Sequence, residues 1–505
     1  MNVQHGIWLA VFSSGFASLP LAAQSRMQMA PATAEGPKPV VGLSAQPGAQ
    51  QSVNSIAAQV QVTGAYATSA AAPDAEGGPL RLTVEEAIAR GLRYNLGAYA
   101  AAARKASAEG TVTAMRSALL PSISGALSET VDKVNLASEG FDASNLPSIG
   151  SYFPSVIGPF HLYTAQGQVS YSAFDMVAVR NLLAAKQSGK AAAMNERDAR
   201  EQIVLAVAAT YLEVLVQQVR VESAASQLKY ARAVYEQAVA QKEAGARSAI
   251  EVNRSRVQML TREQQLLAQQ GELKKQKMRL ARLVGLSADR EIELADPLAT
   301  SAGELPQLEA LYTKALRRPD LEAAKAELAS AEQSRHAAAA EWLPSVRISG
   351  NIGEQGADFH SGRLVYQGTA SLNVPLFNGG ATRSDIQQAD AVVEQRRASL
   401  SARIADTHYE IRAAWVDEEA AAKELVVAAE NRLLARQTLE QTIDRFKVGA
   451  SDSVEVAQSE DMAAAAEQDY ISVLFALRLA QMSLARAAGT AEKDIPGIVK
   501  GVRPE

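Results

Sequence analysis

The sequence predicts a mainly α-helical chain that carries four membrane β-strands, built as two copies of one helix, strand, strand, long helix, helix unit. Three observations predict it: a helix-breaking turn written twice, two runs of about seventy residues without proline, and four short segments of alternating apolar and polar side chains. Composition points the same way. Of 505 residues 47% are hydrophobic but only 5% aromatic, so alanine supplies much of the apolar content. Alanine is the best helix former and lets helices approach closely, which favours long helices in contact over a bulky globular core.

At the start, "HGIWLAVFSSGFASLPLAAQ" places a short apolar stretch around Ile7 to Phe12 ahead of small residues at Ala22 and Ala23. It reads as a signal peptide over residues 1–23, although no Lys or Arg precedes the apolar stretch. Residues 24–79 are rich in Ala, Gln, Pro, Ser and Gly and poor in large apolar side chains, so a disordered linker is expected there. Beyond it no apolar run approaches the ~18 residues of a membrane helix, which leaves strands as the spanning element.

Residues 80–300 make the first repeat, 301–489 the second, and 490–505 a tail. "EEAIARGLRYNLGAY" at Glu85 is echoed by "LEALYTKALRRPDLEA" at Leu308, "SALLPSISG" at Ser117 by "AEWLPSVRISG" at Ala340, and "VSYSAFD" at Val169 by "LNVPLFNGG" at Leu372. A period near two hundred residues is too long for a solenoid and marks duplication of a whole supersecondary unit.

Strands are expected near 122–132, 163–174, 345–354 and 364–376. Gln166, Gln168 and Ser170 alternate with Gly167, Val169 and Tyr171; Arg347 and Asn351 alternate with Val346, Ile348 and Ile352; Gln367, Thr369 and Asn373 alternate with Tyr366, Leu372 and Val374. Alternation over about ten residues is what a membrane barrel around a wet lumen requires, with the polar set facing the lumen. A half-exposed sheet on a soluble domain has the same period. Four strands cannot close a barrel, and an open edge cannot sit in lipid, so several chains must pool their strands. Phe141, Tyr152, Phe153, Phe160, Tyr163, Phe359 and Tyr366 fall near the strand connections, as interfacial aromatics or as loop packing.

Asp175 to Gly245 and Gly380 to Gly449 are the proline-free runs. Each would extend roughly 100 Å as one helix. Leu212, Leu215 and Val219, and later Ile411, Trp415, Ala422, Leu425 and Ala429, repeat at three-and-four spacing as in a coiled-coil seam. The runs end in "QKEAGARSAIEV" and "RFKVGASDSVEV". Gly245 and Gly449 suit a left-handed helix C-cap, and Ser248 with Glu251, like Asp452 with Glu455, has capping-box spacing for a new helix. Hairpin tips near 245–250 and 449–454 follow. The two glutamates can serve as caps, as functional carboxylates, or both.

Taken in this order and duplicated, "LTVEEAIARGLRYN", "ALLPSISG", "LRRPDLEAAKAELASAEQ", "EWLPSVRISG", "VPLFNGG" and "RFKVGASDSVEV" resemble the TolC family of outer-membrane efflux ducts from Leu80 to Gly489. The resemblance implies a homotrimer whose twelve strands form one barrel in outer-membrane lipid, continued by a helical periplasmic tunnel. It also implies a periplasmic adaptor and an inner-membrane pump as partners, met at tips that include Gly245, Ala246, Val448, Gly449 and Ala450. Glu455 matches a position where the family often places an acid that constricts the entrance, and Glu251 is its counterpart in the other half. Gln458 stands where some members have a second carboxylate, Ser451 where some have a basic gating residue, and Arg254 at the matching place in the first half. A mixed Glu/Arg ring is therefore expected.

No catalytic residue, metal site or cofactor is expected. His5, His161, His336, His360 and His408 show no ligand spacing, and neither HExxH nor GxxxxGK[ST] occurs. The sequence has no cysteine, which removes disulfides and thiolate chemistry. A net charge of -5 without a basic stripe gives no footprint for nucleic acid. The rival reading is a periplasmic coiled-coil adaptor without its own barrel.

Overall fold

The computed structural model describes residues 40–47, 54–70, 79–136, 138, 156–245, 248–301, 303–358 and 360–501. The expected signal peptide lies outside them, as do Ala246, Phe141, Tyr152, Phe153 and Phe359. In chain order the elements are β1 (Val40–Pro47), β2 (Asn54–Gln61), β3 (Leu80–Leu82), α1 (Val84–Tyr94), α2 (Leu96–Ser117), β4 (Ser122–Asn135), β5 (Val156–Phe174), α3 (Met176–Glu243) and α4 (Ala249–Leu283). Then come β6 (Ile292–Leu294), α5 (Leu308–Ala315), α6 (Pro319–Ala340), β7 (Ser345–Gly356), β8 (Arg363–Asn373), α7 (Ala381–Lys447), α8 (Ser453–Ala487) and α9 (Ala491–Lys500). The duplication shows in the lengths: α2 and α6 have 22 residues each, α3 and α7 have 68 and 67, α4 and α8 have 35 each. Two compact units result, one of Val112–Leu183 and Gln333–Ala389, the other of Ala184–Glu332 with the described residues before Val112 and from Asp390 on.

The first unit holds an antiparallel sheet in the order β4-β5-β7-β8. Its register stacks like with like. Ser124, Gln168, Asn351 and Gln367 form one cross-strand row, and Ser122, Ser170, Ser349 and Thr369 the next on that face. On the opposite face Gly125, Gly167, Ile352 and Tyr366 make a row, with Ile123, Val169, Gly350 and Gly368 beside it and Tyr171, Ile348 and Ala370 next. Ile123 is 82% exposed and Tyr366 81%, so the apolar face is bare in the single chain. β5 begins at Val156, well before the expected 163, passing through a register irregularity opposite Asp132 and Val134. β8 ends at Asn373 rather than 376, because Pro375 has no N–H for the ladder.

In the second unit the core lies where α3, α4 and α8 cross the β3-β6 pair: Ile203, Tyr211, Leu212, Leu280, Leu474 and Leu477 are buried together with Leu82 and Ile292. The Tyr211 hydroxyl bonds to the Leu82 carbonyl at 2.9 Å and to Asp296 at 2.8 Å. One stretch of α3 is apolar and long enough to cross a membrane by composition, a run the sequence reading passed over, and most of it is buried within the helical unit. Farther along, Ala435, Ala463 and Ala466 with Leu439 form an alanine seam between α7 and α8.

A node of charge sits inside this unit. Arg318 donates to Asp320 at 3.0 and 2.8 Å, to Glu410 at 2.7 Å and to the Ala487 carbonyl at 3.1 Å. Arg486 pairs with Asp198 and, at 3.4 Å, with Glu201. Burial pushes the Asp320 carboxyl up, but the hydrogen bond and charge of Arg318 more than reverse it and hold it low. For Glu201 burial wins over the Arg486 charge and pushes the carboxyl up to about 7.

The disordered-linker expectation for 24–79 needs correction in part. β1 and β2 pair as an antiparallel hairpin that lies against α8, and Val60, Val62 and Tyr66 pack on the main core. Fully buried Asn95 ties the segment down, donating to the Tyr66 carbonyl at 2.8 Å while accepting from Gly97 N–H at 2.8 Å. The physical reason is local: Ile56, Ala58, Val60 and Val62 alternate with Ala57, Gln59 and Gln61, a strand period that average composition hides. At the other end, the expected tail carries α9, which buries Ile495, Ile498 and Val499.

Candidate functional site at the hairpin tips

Both long helices stop on glycine. Gly449 has φ 78°, its N–H reaches the Phe446 carbonyl at 3.1 Å, and the Ala450 N–H reaches Arg445 at 2.8 Å. These two bonds are the Schellman pair, and the positive φ is what glycine adopts without a Cβ clash. Gly245, with φ 73°, donates to Lys242 at 2.9 Å at the end of α3.

The restarts differ. Asp452 caps α8, its carboxylate accepting from the Val454 and Glu455 N–H groups at 3.1 and 2.9 Å. Ser248 is the N-cap of α4 but its side chain makes no capping bond, which corrects the capping-box expectation for the first tip. In the second tip only the Asp452 half of the box expected from spacing is made. Glu455 turns away from the cap: Arg445 donates to one of its carboxylate oxygens at 2.7 Å and the Ser451 hydroxyl to the other at 2.7 Å. Arg445 also reaches the Ala450 carbonyl at 3.3 Å. The end of α7, the turn and the start of α8 are thus clasped through one carboxylate.

Sequence reasoning missed Arg445, although it stood in the quoted turn. Its signal was a cation in the last turn of one helix facing an acid in the first turn of the next, a juxtaposition that exists only once the hairpin has closed.

An open concavity of about 940 Å³ is lined by Gln241, Val448, Gly449, Ala450, Glu455 and Gln458 among others. Arg254, exposed on α4, lies instead in a second groove that shares Gln458. Glu251 is half-buried on α4 and lines neither. The structure therefore groups Glu455 with Gln458, and Arg254 with Gln458, within one chain. Among the described residues no group of His, Cys, Asp or Glu is placed to hold a metal. In the sheet, Gln166, Gln168, Ser170, Arg347, Asn351, Gln367, Thr369 and Asn373 all fall on the polar face, and the Asn351 amide donates to Gln166 at 3.0 Å.

A sheet with one polar and one bare apolar face in one unit, and helical hairpins that end in twin turns in the other, are the features of a membrane-strand protein of the outer-membrane channel class. The chain matches the family described as outer membrane efflux protein over residues 96–286 and 310–490, and it belongs to that family. It is 25% identical to the pyoverdine export outer membrane protein OpmQ of Pseudomonas putida over 80% of this chain and 84% of that one. Among solved structures, the outer membrane protein VceC of Vibrio cholerae shares the fold with a TM-score of 0.67 at 22% identity, covering 80% of this chain and 96% of that one. The Campylobacter jejuni CmeC outer membrane channel does so with 0.70 at 15% identity, covering 89% and 99%. Family membership sets aside the coiled-coil adaptor reading.

Proposed function

We propose that three copies of this chain pool their sheets into one twelve-stranded barrel and act as the outer-membrane exit duct of an efflux or secretion system. One observation carries the reading: a four-stranded sheet whose rows separate polar from apolar side chains, ending at β4 and β8 without further strands among the described residues. Such edges are tolerable in hydrocarbon only when other strands complete the ladder. The polar face then lines water, with Gln166, Gln168, Ser170, Arg347, Asn351, Gln367, Thr369 and Asn373 in the lumen, and the bare apolar face meets lipid.

In this reading the hairpin tips are the periplasmic entrance. Gly245, Ala246, Val448, Gly449 and Ala450 meet a periplasmic adaptor coupled to an inner-membrane pump, and Glu251, Arg254, Glu455 and Gln458 line the constriction. The duct performs no chemistry. Partner docking shifts an equilibrium between closed and open tips, to the extent that it binds the open form better. The Arg445–Glu455–Ser451 clasp holds each second tip compact and belongs to the closed form.

Detergent-extracted protein should migrate as a trimer on electrophoresis unless boiled, and should conduct ions in a planar bilayer. A monomer soluble in buffer without detergent, or a protein that never forms channels, would overturn the reading.

A further inference from the structure

Inside the tips, walls from α3, α4 and α8 enclose a groove of about 480 Å³, within the size range of small-ligand sites. Ala231 and Val234 of α3, Ile250 and Val257 of α4, and Val456 and Ala457 of α8 make it apolar. Glu460, only 7% exposed, lines the same groove, and its carboxylate oxygen Oε1 is buried with no hydrogen-bond partner among the described residues. The Ser453 hydroxyl, also in the lining, is buried in the same condition. A buried acceptor left unpaired is unfavourable, and it favours any guest that donates to it.

The neighbouring charges narrow the choice of guest. Arg262 approaches Glu460 but its guanidinium is committed to Asp461 and, at 2.9 Å, to Gln265. Burial pushes the Glu460 carboxyl up to about 7 despite the Arg262 charge, with Asp461 adding to the rise. No titratable side chain of α3 lines the groove, and Arg254 of α4 stands exposed at its rim. A carboxylate guest would face Glu460 and Asp461. A neutral apolar guest would leave Oε1 unpaired. A dication would place its second charge toward Arg254.

We propose that this groove binds a small organic monocation, an ammonium or guanidinium on a compact apolar body, with the cation donating to Glu460 and the body resting on the valine and isoleucine side chains. Binding is a property of the chain alone and does not depend on its being a duct. Where it is a duct, the guest bridges the α3–α4 hairpin and the α7–α8 hairpin and opposes their separation.

The test uses the purified full chain and 1-naphthylmethylammonium as fluorescent probe, with 1-naphthylmethanol as its neutral counterpart and detergent alone as the blank. At pH 8 the ammonium should bind saturably and the alcohol at least tenfold more weakly. Lowering the pH to 6 should weaken the ammonium about tenfold, since a carboxyl near 7 then carries its proton. Glu460→Gln should remove both the tighter binding and the pH dependence, and Val234→Trp should abolish binding by filling the groove. Migration of each variant as the same species as the parent checks that it folds. Equal affinity for ammonium and alcohol, unchanged binding in Glu460→Gln, or no saturable binding would overturn the proposal, and none of these results bears on channel formation.

Discussion

Of the sites where arginine meets carboxylate, the node around Arg318 and the clasp around Arg445 differ chiefly in burial. The Arg318 and Asp320 side chains are 3% and 5% exposed, whereas those of Arg445 and Glu455 are 57% and 42% exposed. Buried, such a pair cannot be broken on one side without stranding a charge in a poor solvent. Exposed, either partner returns to water at little loss. The same chemistry thus makes a permanent joint between the α5–α6 turn, α7 and α8 in one place, and a releasable latch at the tip in the other.

The largest expected effect comes from breaking the joint. Arg318→Ala should destabilise the protein by about 3–5 kcal/mol, because Asp320 is left buried without its cation, and thermal unfolding followed by circular dichroism would show it. A small loss, comparable to that at the tip, would erase the contrast.

Next comes the pH response of the second pair in the node. The Glu201 carboxyl sits at about 7 when folded, against its ordinary 4.5. The folded chain therefore keeps a proton that the unfolded chain releases, so this contribution is full below about pH 4.5 and is lost as pH rises through 7. The span is of order 1–3 kcal/mol, and Glu201→Gln should flatten the stability profile between those pH values.

At the tips, Asp452→Ala should cost about 1 kcal/mol by removing a working N-cap, while Ser248→Ala should change stability by only ~0.3 kcal/mol because no capping bond is lost. Amide hydrogen exchange in the first turns of α8 and α4 separates the two. Glu455→Gln should cost less than the Asp452 cap, about 0.5 kcal/mol for an exposed ion pair. Its readout is single-channel conductance: loss of the latch should raise the open fraction, and an unchanged trace would reduce Glu455 to a local brace.

Much of the architecture was legible in residue order. The strand faces could be read because alternation is a property of neighbours, and register then follows once like faces must share one side. The helix stops at Gly245 and Gly449 could be read because left-handed backbone is a residue-level preference. The β1–β2 hairpin escaped because its four alternating apolar residues sit in a segment whose average composition resembles a linker. Arg445 and Arg318 escaped for a different reason. Arg445 meets Glu455 across a turn; Arg318 stands two residues from Asp320, but the burial of that pair and its link to Glu410 of α7 depend on which helix faces meet, which sequence spacing does not reveal.

By itself the sequence determined the duplicated order of helices and strands, the polar and apolar faces of the sheet, and the positions of the two turns, all consequences of local backbone preference and side-chain period. Only the tertiary structure decided which charges are paired and how deeply: Glu455 on Arg445 in the open, Asp320 on Arg318 in the interior, and Glu460 with a carboxylate oxygen unpaired beside a groove. The reason is that solvation, and with it the strength of every ion pair and the titration of every acid, depends on what other parts of the chain exclude water from the site.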